Sequence, residues 1–132
     1  MKPEVYKKLC RAKEFMDERC CSPIDLDSIA RQANLSVYHF LRVFSKVYCK
    51  TPHRYLTLKR IDKAKEYLAL ENHSITDICF DIGFESPGSF SSMFLKHTGL
   101  TPTEFRNSAR RKIYMSVSFP EKLIPACYLF SK

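Results

Sequence analysis

No run of about 18 apolar residues occurs anywhere in the 132-residue chain, so the sequence gives no candidate for a membrane-spanning helix. The opening residues, Met1-Lys2-Pro3-Glu4, lack an apolar signal region, and the expectation is a cytoplasmic protein. Six cysteines are present (Cys10, Cys20, Cys21, Cys49, Cys79 and Cys127), yet no CxxC pair is among them. The four histidines, His39, His53, His73 and His97, do not fall at ligand spacing from these cysteines either. A zinc site and a disulfide framework are both disfavoured. The expectation is free, mostly buried thiols in a reducing cell, with no metal and no cofactor, and with Cys20-Cys21 as the partly exposed pair. A nucleophile elbow and a phosphate loop are also missing, which removes the commonest signatures of an enzyme.

Acidic residues are scarce in one block. Residues 31–65 hold nine Lys/Arg against Asp62 alone, whereas residues 1–30 carry six charges of each sign. Residues 66–109 reverse the balance, with Lys96 and Arg106 against six acids, and residues 110–132 return a net +4. The overall charge is +8. A basic block of this kind inside folded structure points to a polyanion, most commonly nucleic acid.

The chain also repeats itself. Leu26, Ile29, Ala30, Ala33, Asn34 and Leu35 match Ile75, Ile78, Cys79, Ile82, Gly83 and Phe84 at an offset of 49. After a one-residue insertion, Phe40, Phe44, Lys46, Thr51, Pro52 and Tyr55 match Phe90, Phe94, Lys96, Thr101, Pro102 and Phe105 at an offset of 50. Each copy reads as helix, tight turn, helix, a unit that commonly docks on DNA. Asn34 and Gly83 are both suited to the left-handed conformation that such a turn demands. Cys79 stands in the small buried slot that Ala30 fills in the first copy.

The predicted fold is all-α, with about seven helices. The first runs from about Pro3 to Arg19. Asp25 caps Leu26–Ala33, and Ser36 caps a helix that ends near Tyr48. Thr51-Pro52 starts a long helix with Tyr55, Leu58, Ile61, Ala64 and Leu68 as its apolar stripe. Ser74 caps Ile75–Ile82, with Asp77 near the third position of a capping box. Ser86-Pro87 opens a helix to about Thr98, and a short last helix ends near Ala109. The expected organisation is a helix-turn-helix subdomain over 1–51, a linker helix over 52–72, a second helix-turn-helix subdomain over 73–109, and a tail over 110–132. In that tail Ile113, Met115, Val117 and Phe119 alternate with polar or small neighbours, predicting a short extended, β-like segment. Such a strand would pack on the helical body, pair with a second copy, or begin a further domain.

The second helix of each unit should carry the chemistry. Phe40, Phe44 and Val47 form the core stripe of the first, leaving Tyr38, Leu41, Arg42 and Ser45 on the face a recognition helix presents to a major groove. Arg42 can donate two hydrogen bonds to guanine O6 and N7, while Tyr38 and Leu41 offer apolar contact to thymine methyls or sugars. The equivalent face of the second unit is Gly88, Ser91, Ser92 and Leu95, which discriminates bases weakly. The first unit is therefore expected to read sequence and the second mainly to position the protein. Phosphate contacts are expected from Ser36, Lys46, Lys50, Arg54, Lys59, Arg60, Ser86 and Lys96, each steepening the salt dependence.

These residues resemble the AraC/XylS family of bacterial transcription regulators over about residues 4–109. Most specific is Asp77-Ile78-Cys79-Phe80-Asp81-Ile82-Gly83-Phe84, followed by Phe90, Phe94-Leu95-Lys96, Gly99-Leu100-Thr101-Pro102 and Phe105-Arg106. It is similar to the family signature with Cys79 in place of alanine. Tyr55-Leu56, Arg60-Ile61, Ala64 and Tyr67-Leu68 resemble the family's linker helix. The resemblance implies a monomeric domain, often an activator, that lays two recognition helices into successive major grooves of double-stranded DNA. RNA polymerase is a further candidate partner, no membrane is implied, and a tail-mediated dimer is the alternative to the monomer. By resemblance, Tyr38, Leu41 and Arg42 contact bases, with Gly88, Ser91 and Ser92 at the matching second-unit positions. Many members carry a sensor domain before this one, so the layout fits either a stand-alone regulator or a fragment of a longer one. A different class stays open beside this reading: a protein–protein adaptor that kept the helical fold with little or no DNA specificity.

Overall fold

The computed structural model describes residues 2–118, and every element among them is a helix. They are α1 (Pro3–Glu18), α2 (Leu26–Gln32), α3 (Val37–Tyr48), α4 (Pro52–Leu70), α5 (Ile75–Asp81), α6 (Pro87–Thr98) and α7 (Pro102–Ser118). The chain divides into two compact units, Met1–Arg60 and a second beginning at Ile61, so that α4 contributes to both.

Apart from α1, which has no side-chain cap, the helices start where the sequence supplies acceptors for their unpaired first N–H groups. Asp25 Oδ1 accepts from the Ser28 N–H at 2.8 Å, Ser36 Oγ from His39 at 3.2 Å, Ser74 Oγ from Asp77 at 3.0 Å and Ser86 Oγ from Ser89 at 3.2 Å. Thr101 and Glu104 complete a reciprocal capping box, with bonds of 3.2 and 3.3 Å between each side chain and the other residue's N–H. The two tight turns are built alike. Leu35 N–H donates to the Ala30 carbonyl at 3.2 Å and Asn34 N–H to Arg31 at 2.9 Å; Phe84 donates to Cys79 and Gly83 to Phe80, both at 3.1 Å. This six-to-one plus five-to-two pattern closes a helix on a left-handed residue, and φ is +51° at Asn34 and +95° at Gly83.

Each unit is centred on a pair of phenylalanines with no solvent exposure, Phe40 and Phe44 in one and Phe90 and Phe94 in the other. Burying each such ring stabilises the fold by roughly 1.5–3 kcal/mol. Phe44 meets Tyr55 edge-on at 5.7 Å and 78°, and Phe94 meets Phe105 edge-on at 5.4 Å and 78°. The repeat is deeper than the matched sequence. Leu9, Ala12 and Met16 of α1 are fully buried at spacings of three and four, as are or nearly are Ile61, Ala64 and Leu68 of α4. The offset between these helices is 52 rather than 49 because the 71–74 connection is three residues shorter than 19–25. The second half of α4 thus repeats α1, and α7 repeats the first half of α4.

Tyr55 donates its hydroxyl to Asp17 Oδ1 at 2.5 Å. Burial, helped by that carboxylate, holds the Tyr55 phenol well above its ordinary range, and burial pushes Tyr48 up to about 12.

Three expectations need correcting. The extended segment from Ile113 is helical: α7 continues past Ala109 to Ser118. No glycine or proline interrupts Thr103–Ser118, and an alternating pattern without a partner strand gives the backbone no ladder to join. The remainder of the expected tail, 119–132, lies outside the described residues, and with it Cys127. Of the pair expected to be partly exposed, Cys21 is half-buried as expected but Cys20 is buried, at 3% exposure, and among the described residues Cys49 is the exposed thiol. The reason is that Cys20 joins the core cluster with Leu9, Ala12 and Met16, whereas Cys49 sits at a left-handed helix end with φ +58°. Finally, the inward side of α4 includes Leu56 and Thr57 beside Tyr55, and Leu58 is only half-buried.

Candidate nucleic-acid interface

The Schellman-type turn after α2 and the Ser36 cap fix where α3 begins, and Phe40 and Phe44 fix which side of it faces inward. Rotating one hundred degrees per residue away from that stripe leaves Tyr38 and Arg42 exposed and Leu41 and Ser45 half-buried. Tyr38 is 71% exposed, too much for a ring of its size to be explained by packing. The Arg42 guanidinium lies 5.8 Å from the centre of the Tyr38 ring, one turn away. That cation–π contact is worth about 0.5–1 kcal/mol at an exposed site and narrows the arginine's rotamers. The face presents a stacked aromatic and a five-donor fork side by side.

The matching face of α6 is bare by comparison. Gly88 and Ser92 are exposed, Ser91 is half-buried, and Leu95 is 47% exposed. A Cβ added at Gly88 would meet nothing within 4 Å. Lys96, expected to touch phosphate, is exposed at the last turn of α6.

The expected phosphate ligands of the first unit separate into two groups. Lys46 and Arg54 are exposed and Lys50 is half-buried. Ser36 and Ser86 use a lone pair to cap their helices, which leaves each hydroxyl proton for an outside acceptor. Lys59 and Arg60 are engaged within the protein. Lys59 Nζ is 3.6 Å from Asp17 Oδ1 and 5.7 Å from the Tyr55 ring centre. Arg60 donates from Nε to the Cys20 carbonyl at 2.6 Å and from a terminal nitrogen to the Ser22 carbonyl at 3.1 Å, and burial lowers its pKa. The same device recurs in the second unit. Arg110, at the offset of 50, donates to the Glu71 carbonyl at 2.7 Å and Asn72 Oδ1 at 3.1 Å, and Arg106 reaches the Leu68 and His73 carbonyls at 3.2 and 2.6 Å. These arginines tie down the connection that precedes each helix-turn-helix, a task the charge pattern did not reveal.

Lys2 was not among the expected contacts. It stands at the start of α1 and, with Val5, His39, Arg42, Val43 and Lys46, lines a concavity of about 270 Å³ beside α3. Among the described residues no cluster of three or more His, Cys, Asp or Glu side chains could hold a metal ion, and no helix is long and apolar enough to cross a membrane.

Two capped helix-turn-helix units of one design, each with an outward second helix, define a tandem helix-turn-helix fold. Residues 29–108 match the family described as "Helix-turn-helix domain", and the chain belongs to the AraC/XylS-type branch of such proteins. It is 33% identical over 97 residues to the bifunctional transcriptional activator/DNA repair enzyme AdaA of Bacillus subtilis, covering 74% of this chain and 46% of AdaA. It is 29% identical over 94 residues to the regulatory protein SoxS of Salmonella typhimurium, covering 71% of this chain and 88% of SoxS. Among solved structures, an AraC-type DNA-binding-domain transcriptional regulator from Chromobacterium violaceum superposes with a TM-score of 0.74 at 29% identity, over 79% of this chain and 93% of that one. The chain therefore spans less than half of AdaA but most of SoxS.

Proposed function

We propose that this chain is a sequence-specific DNA-binding transcription regulator that inserts α3 and α6 into successive major grooves of a duplex, with the first unit dominating base readout. The observation that carries the reading is the contrast between the two outward faces. Tyr38 and Arg42 stand exposed and stacked on α3, whereas Gly88 and Ser92 hold the same places on α6. Arg42 reads a guanine edge, Tyr38 and Leu41 contact methyls or sugars, and Ser45 completes the α3 face; Gly88, Ser91 and Ser92 let α6 approach its groove closely without much discrimination. Backbone contacts come from Ser36, Lys46, Lys50 and Arg54 in the first unit and from Ser86 and Lys96 in the second. Lys59 and Arg60 are left out because their charges are engaged by Asp17 and by backbone carbonyls. In this reading α4 is the linker between the two reading heads.

Selection of binding sites from a random duplex pool tests the proposal. The expected motif has one strongly constrained half-site, containing a guanine, and a second that is weakly constrained one helical turn away. Two equally informative half-sites would overturn the asymmetry. Salt-insensitive or undetectable duplex binding would favour the adaptor alternative, which the basic 31–65 block argues against.

A further inference from the structure

The concavity between the first turn of α1 and the side of α3 has no role in the helix-turn-helix reading so far. Its floor is apolar, from Val5 and Val43, and its rim is cationic, from Lys2, Arg42 and Lys46, with His39 beside them. None of the ion pairs among the described residues engages Lys2, Arg42 or Lys46. Three like charges around one hollow repel each other, and an anion seated between them converts that repulsion into attraction. Lys2 is also unburdened as a structural group, since its side chain makes no capping hydrogen bond to α1.

We infer that this hollow is a seat for one sugar-phosphate unit of the DNA backbone, which makes Lys2 and the start of α1 part of the interface. The chemistry of the lining selects the occupant. A phosphodiester oxygen pair matches the cationic rim, and the attached deoxyribose matches the valine floor, which a bare inorganic anion would leave unused. Position points the same way, because Arg42 and Lys46 belong both to the hollow and to the α3 surface proposed to meet DNA. Arg42 then spans from base edge to backbone. The hollow sets the depth and tilt of α3 in its groove, since a backbone clamped on one flank leaves the helix few ways to sit.

This inference rests on the DNA-binding reading, and the test separates the two. Binding of the full chain to a random-sequence duplex is measured by fluorescence anisotropy across a salt series, for wild type, Lys2→Ala and Lys7→Ala. Lys7 is an exposed α1 lysine outside the hollow and serves as the charge control. One phosphate contact contributes about 0.9 to the log–log salt slope, which corresponds to about eightfold in affinity at 0.1 M salt relative to 1 M. Lys2→Ala is expected to lose about that factor and that much slope on every duplex, and Lys7→Ala to lose much less. Salt-sensitive wild-type binding with Lys2→Ala and Lys7→Ala indistinguishable would overturn the inference and leave the DNA reading standing. Absence of salt-sensitive wild-type binding would overturn both. A further arm titrates inorganic phosphate: binding that needs Lys2 in the phosphate titration but not in the duplex titration would identify a small-anion site and overturn the backbone assignment.

Discussion

Ser92→Arg tests whether α6 faces DNA at all. Ser92 lies at the offset of 50 from Arg42 and is exposed on the outward side of α6. Helical side chains lean toward the N-terminus, so an arginine here would extend over Gly88, the counterpart of Tyr38. That space is open, because even a Cβ on Gly88 would meet nothing within 4 Å. Arginine is also a better helix former than serine by a few tenths of a kcal/mol, so the substitution should not unfold the unit. If α6 enters a groove, the new cation reaches either a phosphate or a base edge. A phosphate contact adds about 0.9 to the salt slope, or about eightfold in affinity at 0.1 M salt, for all duplexes alike. A bidentate guanine contact adds roughly 1–3 kcal/mol of discrimination at one base pair and makes the second half-site visible in selection. Anisotropy titrations at several salt concentrations, followed by site selection, measure both terms. Unchanged affinity, slope and motif would mean that this face of α6 does not meet DNA, and the two-headed reading would fall.

Other substitutions probe the scaffold. Cys49→Gly should stabilise the protein by about 0.5–1 kcal/mol, since a non-glycine left-handed residue costs about 1–2 kcal/mol against about 0.5–1 kcal/mol for glycine's extra unfolded freedom. Gly99 already fills the matching position at φ +80°, and a lower urea midpoint for Cys49→Gly would refute the reasoning. Arg60→Ala should destabilise the first unit by about 2 kcal/mol by leaving the Cys20 and Ser22 carbonyls without their cationic donor, and Arg60→Lys should recover only part of it; an unchanged thermal midpoint would show the bonds to be incidental. The hydrogen bonds from Ser28 hold the Asp25 pKa below 3.8, so its capping contribution is present above that value and is lost as pH falls through the lower folded-state pKa. Asp25→Asn should therefore flatten the acid limb of the stability–pH curve, and an unaltered limb would remove Asp25 from its causes.

What could be read in the sequence was what local backbone chemistry dictates. A residue that tolerates positive φ at Asn34 and Gly83, with hydroxyl or carboxylate caps at Asp25, Ser36, Ser74 and Ser86, places both turns within a residue of where they stand. Cys49 was missed because cysteine carries no such signal; only its alignment with Gly99 could have given it away. The end of α7 was missed because a short apolar alternation fits a strand as well as a lone helix until a partner is sought. The residues of the proposed interface were harder, because a charge count treats every cation as free. Arg60 belongs to the basic block yet turns inward onto carbonyls, whereas Lys2 belongs to a neutral segment yet stands beside Arg42 and Lys46.

The deeper repeat bears on why the two faces differ. Each unit needs a helix before the turn pair, a Phe pair, an edge-on aromatic after it, and an arginine that ties the connecting segment. The first unit supplies these from α1, Phe40–Phe44, Tyr55 and Arg60, and the second from the end of α4, Phe90–Phe94, Phe105 and Arg110. Truncating one of the buried Phe rings opens a cavity, and losing Arg60 strands the part-buried Cys20 carbonyl, at a cost of about 2–5 kcal/mol, a large share of a domain's stability. Tyr38, Arg42, Gly88 and Ser92 are exposed, and exposed substitutions usually shift stability by less than about 0.5 kcal/mol. The outward faces of α3 and α6 are thus the positions at which the copies can diverge at little cost to folding. Packing within the units requires neither a tyrosine–arginine pair on one face nor a glycine–serine surface on the other, and in the proposed DNA-binding reading each face is set by what it contacts.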